Sequence, residues 1–144
     1  MLFRSLFTDL AGIPTPKEFQ GRSFRPMLAG KTPSDWRQAL YYRYWMNRAD
    51  HNVAAHYGIR TLTHKLVYYY YDGLNLPGTN YGPDNCPSII GHAPEWELFD
   101  LEKDPREMHN VVHDPAYAAV RRQLTDQLHR LQAEYGDKPY EKDR

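Results

Sequence analysis

Cysteine is almost absent: Cys86 is the only one among 144 residues. A single thiol excludes an intrachain disulfide and a cysteine-built zinc site. No apolar run is long enough to span a bilayer. The opening Met1-Leu2-Phe3-Arg4-Ser5-Leu6-Phe7 has no basic start, long apolar core or small-residue cleavage site, so it reads as a helix rather than a secretory signal. Its sequence assigns no compartment. An excess of one charge is missing too, with 18 basic and 18 acidic residues and a formal net charge of +0. That balance argues for neither a nucleic-acid partner nor an acidic membrane surface. There is no internal repeat and no G-x-S-x-G nucleophile elbow. Phenylalanine is scarce beside tyrosine, 5 against 12. Tyrosine has an apolar ring and a polar tip, so the excess favours strands with one wet face, or surfaces that meet a partner.

What is present suffices for one domain, or one small domain with an extension. Leu2, Phe3, Leu6, Phe7 and Leu10 recur at helical spacing until Gly12 and Pro14. A second short helical piece fits residues 23–29. Residues 38–45, 57–60, 65–71 and 95–101 read as strands, with Thr61-Leu62-Thr63-His64 bending the second into the third. The polar stretch 47–55 reads as a loop. Residues 72–94 are rich in Gly, Pro and Asn and are long for a connection. Tyr117, Val120, Leu124, Leu128, Leu131 and Tyr135 follow the i, i+3, i+4 rule of one buried helix face. Asp114 is placed to cap that helix, Pro115 to occupy its first position and Gly136 to end it. The charged tail 137–144 should fray. The expected fold is α+β: a small antiparallel sheet of about four strands against a long C-terminal helix, with an N-terminal helical extension.

The most informative stretch is Glu95-Trp96-Glu97-Leu98-Phe99-Asp100-Leu101-Glu102-Lys103-Asp104-Pro105-Arg106-Glu107-Met108-His109-Asn110. By its pattern it is a half-buried strand stopped by Asp104-Pro105, then a turn feeding the last helix. It resembles the W-E-L-Y-D-L-x-x-D-P-x-E-x-x-N signature near the C-terminus of type I, formylglycine-dependent sulfatases of the alkaline-phosphatase superfamily. Thr8-Asp9-Leu10-Ala11-Gly12-Ile13-Pro14 is similar to the element where a late helix leaves the catalytic domain of those enzymes. Gln20-Gly21-Arg22-Ser23 with Pro26-Met27-Leu28-Ala29-Gly30, and Trp36-Arg37 with Tyr41-Tyr42-Arg43-Tyr44, resemble the segments that follow. Ala55-His56-Tyr57-Gly58-Ile59-Arg60-Thr61 and Lys65-Leu66-Val67-Tyr68 are similar to H-x-G-[VI]-R-T-x-x-x-K-[LY]-I. Order and spacing carry more weight than any one piece.

The resemblance implies that residues 1–36 end a sulfatase catalytic domain and that 37–144 form its C-terminal subdomain. It implies a sulfuric ester hydrolase whose formylglycine and calcium carboxylates lie in a catalytic domain outside this chain, which is then the expected partner. A sulfated glycan or another sulfate ester is the expected substrate. Alone, the chain should be inactive. A stand-alone glycan-binding or protein-interaction module is the second reading, and an esterase using His56, Arg60 and Asp84 the third. No catalytic residue and no metal ligand is assigned. Cys86-Pro87-Ser88 lacks both the intervening residue and the arginine of a formylglycine motif. Asp84-Asn85 finds no second acidic cluster to complete a calcium site. His51 and His56, beside Asp50, have no spacing that makes a tetrahedral site. His56 and Arg60 are the substrate-binding candidates. Imidazole both donates to and accepts from sugar hydroxyls, and guanidinium grips sulfate or carboxylate oxygens with two prongs. The plainer assignment is that Arg60 pairs with a carboxylate of the sheet and His56 caps a strand. Lys65 reads as structural.

Overall fold

The structure, a computed structural model, describes residues 3–45, 47, 53–71 and 93–140. The chain divides into two units, Met1–Arg37 and Gln38–Arg144.

The first unit holds α1 (Phe3–Leu10) and the single turn α2 (Arg25–Leu28). Asp9 joins them: it accepts from the Ser23 hydroxyl at 2.5 Å and pairs with Arg25 at 3.2 Å. Those contacts, the Ser23 bond first, hold its carboxyl below the usual carboxylate range. Leu6 is buried, whereas Phe3, Phe7 and Leu10 of the same helix are exposed.

In the second unit β1 (Ala39–Tyr44), β2 (His56–Thr61), β3 (His64–Tyr69) and β4 (Glu95–Asp100) form one antiparallel sheet in the order β1-β2-β3-β4. Consecutive strands tend to lie side by side, and here only the β2–β3 connection, residues 62–63, is short. The register places Tyr44, His56, Tyr69 and Glu95 in one row across the sheet, and Leu40, Arg60, Lys65 and Phe99 in another. Side chains alternate faces along a strand, so Tyr57, Ile59, Leu66 and Leu98 share the face opposite to His56 and Arg60. That opposite face is the core side. It packs with Val112, Leu124 and Leu128.

The helix on it is α3 (Ala118–Glu134), preceded by the 3-10 turn Pro115–Tyr117. The sequence pattern leads to one helix from Pro115; the first turn is tighter because the Asp114 carboxylate accepts from Ala116 N at 2.8 Å while Pro115 has no N–H to give. Leu124, Leu128 and Gln132 are buried on α3, with Val120 and Leu131 at the margins. Gly136, at φ 71, ends the helix in the left-handed region.

Residues 137–140 do not fray as composition suggests. Arg43 pairs with Asp137 at 2.6 Å and donates to Lys138 O at 2.9 Å, and the Tyr41 hydroxyl also donates to Asp137. The Tyr140 ring stacks on Tyr70 at 4.8 Å. A partly buried guanidinium with a fixed carboxylate orders a tail that isolated charges would leave loose.

Candidate functional site

Strand β2 presents His56, Gly58 and Arg60 on the face away from α3. Four residues of strand put His56 and Arg60 about 13 Å apart, so the structure sets them on one face without bringing them into contact.

His56 sits among tyrosines. Ring centroids of Tyr69, Tyr44 and Tyr42 lie 5.1, 5.7 and 5.8 Å from its imidazole. Two of these follow from register: Tyr44 and Tyr69 are its direct neighbours on β1 and β3. Tyr42 reaches over because its opposite residue is Gly58. A Cβ there would lie 2.8 Å from the Tyr42 hydroxyl and 2.7 Å from Leu66 O. The imidazole Nδ1 lies 2.7 Å from Ala54 O. Burial pulls the imidazole pKa below its ordinary value; the Ala54 bond opposes this and the Lys65 charge adds to it.

Arg60 and Lys65 are direct cross-strand neighbours and share one carboxylate, Glu107, at 3.6 and 2.5 Å. Glu107 comes from the turn after β4 and takes φ 57, uncommon for a residue with a Cβ. Asp104 shapes that turn, accepting from Glu107 N at 3.1 Å and, through its side chain, from His109 N at 2.7 Å. The Arg60 side chain stays 54% exposed. Like charges placed side by side are tolerated because one acidic group answers both. Glu97 stands on the same face, where burial first and the Glu95 charge second raise its pKa. Burial pushes the Tyr69 hydroxyl up to about 12, and the neighbouring glutamates push the same way.

This arrangement can accept a hydrogen bond, donate a forked pair and offer aromatic faces, which is binding chemistry. Among the described residues no group of three or more His, Cys, Asp or Glu could hold a metal ion. The described residues therefore do not fit calcium. Cys86, Asp84, Asn85, Asp50 and His51 lie outside the described residues. Lys65 is held in an ion pair, and Arg60 pairs with a carboxylate contributed by the turn, not by a strand. The tyrosine ring around His56 was signalled only by the tyrosine excess. Nothing in composition marks Glu107, because its reach depends on a left-handed backbone.

The depressed His56 pKa gives a stability signature. The folded state resists protonation that the unfolded chain accepts near pH 6.5. This contribution is complete above pH 6.5 and declines as pH falls toward the lowered folded value. Thermal melts from pH 8 to 5 should show a loss of stability that His56→Gln reduces. An identical pH profile in that variant would remove His56 as its source.

Residues 3–84 and 88–134 match the family model described as N-sulphoglucosamine sulphohydrolase, C-terminal. An N-acetylglucosamine-6-O-sulfatase of Bacteroides thetaiotaomicron is 38% identical over 137 residues, covering 94% of this chain and 21% of that protein. An ulvan-active sulfatase of Formosa agariphila is 26% identical over 138 residues, covering 91% of this chain and 28% of that protein. A solved structure in complex with its substrate D-glucosamine-2-N,6-O-disulfate superposes with a TM-score of 0.79 at 34% identity, over 99% of this chain and 25% of that one. The chain thus spans about a quarter of the length of such relatives. The four-stranded sheet, its covering helix and the matched residues agree: this chain belongs to the sulfatase C-terminal family.

Proposed function

We propose that the chain is the C-terminal part of a carbohydrate sulfatase that cleaves a sulfate ester on a glucosamine-type sugar. Residues 1–36 would close the catalytic domain and residues 37–144 would form the subdomain beside it. The observation that carries the substrate class is the 38% identity to an N-acetylglucosamine-6-O-sulfatase across 94% of the chain. Sulfate ester hydrolysis needs a nucleophile and positive charge at the sulfate oxygens, which a formylglycine and a calcium ion of the catalytic domain would supply. The contribution of this chain is to hold the sugar: Arg60 through anionic oxygens, His56 through a hydroxyl, with the catalytic domain as its partner.

The isolated chain is expected to show no turnover of a chromogenic aryl sulfate or of 6-O-sulfated N-acetylglucosamine. Completing it with a sulfatase catalytic domain, fused or in trans, should be required for activity. In the completed enzyme Arg60→Ala should lower kcat/KM about tenfold, the size of one lost charge-assisted hydrogen bond, with the melting curve little changed. Turnover by the isolated chain that disappears on mutating Cys86 would overturn the proposal. An unchanged kcat/KM in Arg60→Ala would remove that residue from the substrate.

A further inference from the structure

We infer that Asn47 is a positioning residue: its buried side-chain amide ties the ends of β1, β2 and β3 together and thereby holds His56 as a fixed hydrogen-bond acceptor. The inference rests on the substrate role proposed for His56 only for its functional arm.

Asn47 follows β1 and is 0% exposed. A buried amide is costly unless its polar atoms are answered, and here both ends are. Its Oδ1 accepts from Ala55 N at 2.9 Å, and its Nδ2 donates to Tyr71 O at 3.3 Å. Ala55 immediately precedes β2, and Tyr71 lies just beyond β3. Ala55 O in turn accepts from Tyr70 N at 3.0 Å. One side chain thus joins the ends of three strands. Tyr71 has φ 52. A left-handed tyrosine costs free energy and persists only where its surroundings hold it, and the Asn47 amide grips its carbonyl.

The consequence reaches the next residue. His56 Nδ1 lies 2.7 Å from Ala54 O, a carbonyl that can only accept. Nδ1 must therefore carry the proton, which leaves Nε2 of the neutral ring as an acceptor. The carbonyl that selects this tautomer belongs to the residue before Ala55, whose N–H Asn47 holds. Tyr42 and Tyr44 from β1 and Tyr69 from β3 flank the ring, and Lys65 of β3 is the cation that acts on it. A fixed tautomer on a fixed backbone selects a donor, such as a sugar hydroxyl, over an acceptor at that point.

The test is nitrogen NMR of the His56 ring in the full chain, with Asn47→Ala and Asn47→Ser. In the wild type the proton should be on Nδ1, with a pKa below the ordinary value. In the variants the tautomer population should shift toward Nε2–H, and loss of the Ala54 bond, which raises the pKa, should move it further below the ordinary value. Asn47→Ser, which keeps a small hydroxyl acceptor, should shift less than Asn47→Ala. A folded Asn47→Ala chain with an unaltered His56 tautomer and pKa overturns the inference, as does a wild-type proton on Nε2. If neither variant folds, hydrogen exchange of the wild-type Ala55 amide decides: protection supports its bond to Asn47, and exchange at an open-chain rate refutes it. In an enzyme completed with a catalytic domain, Asn47→Ala and His56→Ala should each raise KM several-fold, and the double variant should add little to His56→Ala alone. If both single variants leave KM unchanged while the NMR shift persists, the substrate role fails and the positioning role stands.

Discussion

Leu128→Ala is expected to lower the unfolding free energy by roughly 2–5 kcal/mol, the range for deleting a large aliphatic side chain from a packed core. Leu128 is 0% exposed and sits in the cluster with Ile59, Leu66 and Leu98 of the sheet and Leu124 of its own helix. The transfer of its methyl groups accounts for part of the loss. The cavity accounts for the rest, because strand backbones cannot collapse onto a helix to fill it. Urea unfolding followed by far-UV circular dichroism measures the change, with the slope unaltered if the variant stays two-state. Leu124→Ala should fall in the same range. A loss below about 1 kcal/mol for Leu128 would mean that α3 does not seat on the sheet as described.

The second large effect is expected at Gly58, where two opposing terms can be weighed. Replacing a strand glycine with alanine ordinarily helps, by about 0.5–1 kcal/mol, because the unfolded chain loses freedom. Here the added Cβ would lie 2.7 Å from Leu66 O, on the backbone of the paired strand, and 2.8 Å from the Tyr42 hydroxyl. Tyr42 can swing aside, but the carbonyl can move only with the β2–β3 ladder. Overpacking of that kind costs about 1–3 kcal/mol, so the clash wins. Gly58→Ala should destabilise the chain by about 1–2 kcal/mol on balance of those terms, and Gly58→Val by more. Tyr42 should also leave the His56 ring, visible as a change in the His56 proton shifts. Equal or greater stability for Gly58→Ala would show that the strands separate there more readily than the register implies.

The sheet, its helix and the side of the helix that is buried could be read from the chain because each rests on local periodicity. Val120, Leu124 and Leu128 recur at helical spacing, and the strand residues alternate. The same reading left Gln132 off the buried face, since an amide gives no hydrophobic signal, although it falls one helical turn beyond Leu128. It also released residues 137–140 as a frayed tail, because Asp137 looks solvated until Arg43, distant in sequence, is seen beside it.

The site divides along the same line. The common face of His56 and Arg60 emerged only with a strand that begins at His56 rather than at Tyr57, whereas the likeness of the segments around them to sulfatases was legible in order and spacing. Their surroundings were not. Cross-strand register decides that Tyr44 and Tyr69 flank His56 and that Lys65 stands beside Arg60. A left-handed Glu107 decides that both cations meet one carboxylate. Asn47 reads as one polar residue in a polar loop, and only its burial against Ala55 and Tyr71 gives it a task. Patterns along a chain specify which face a residue takes, because backbone geometry repeats. Which partner it meets there depends on contacts between residues far apart in sequence, and those exist only once the strands have paired and the helix has closed over them.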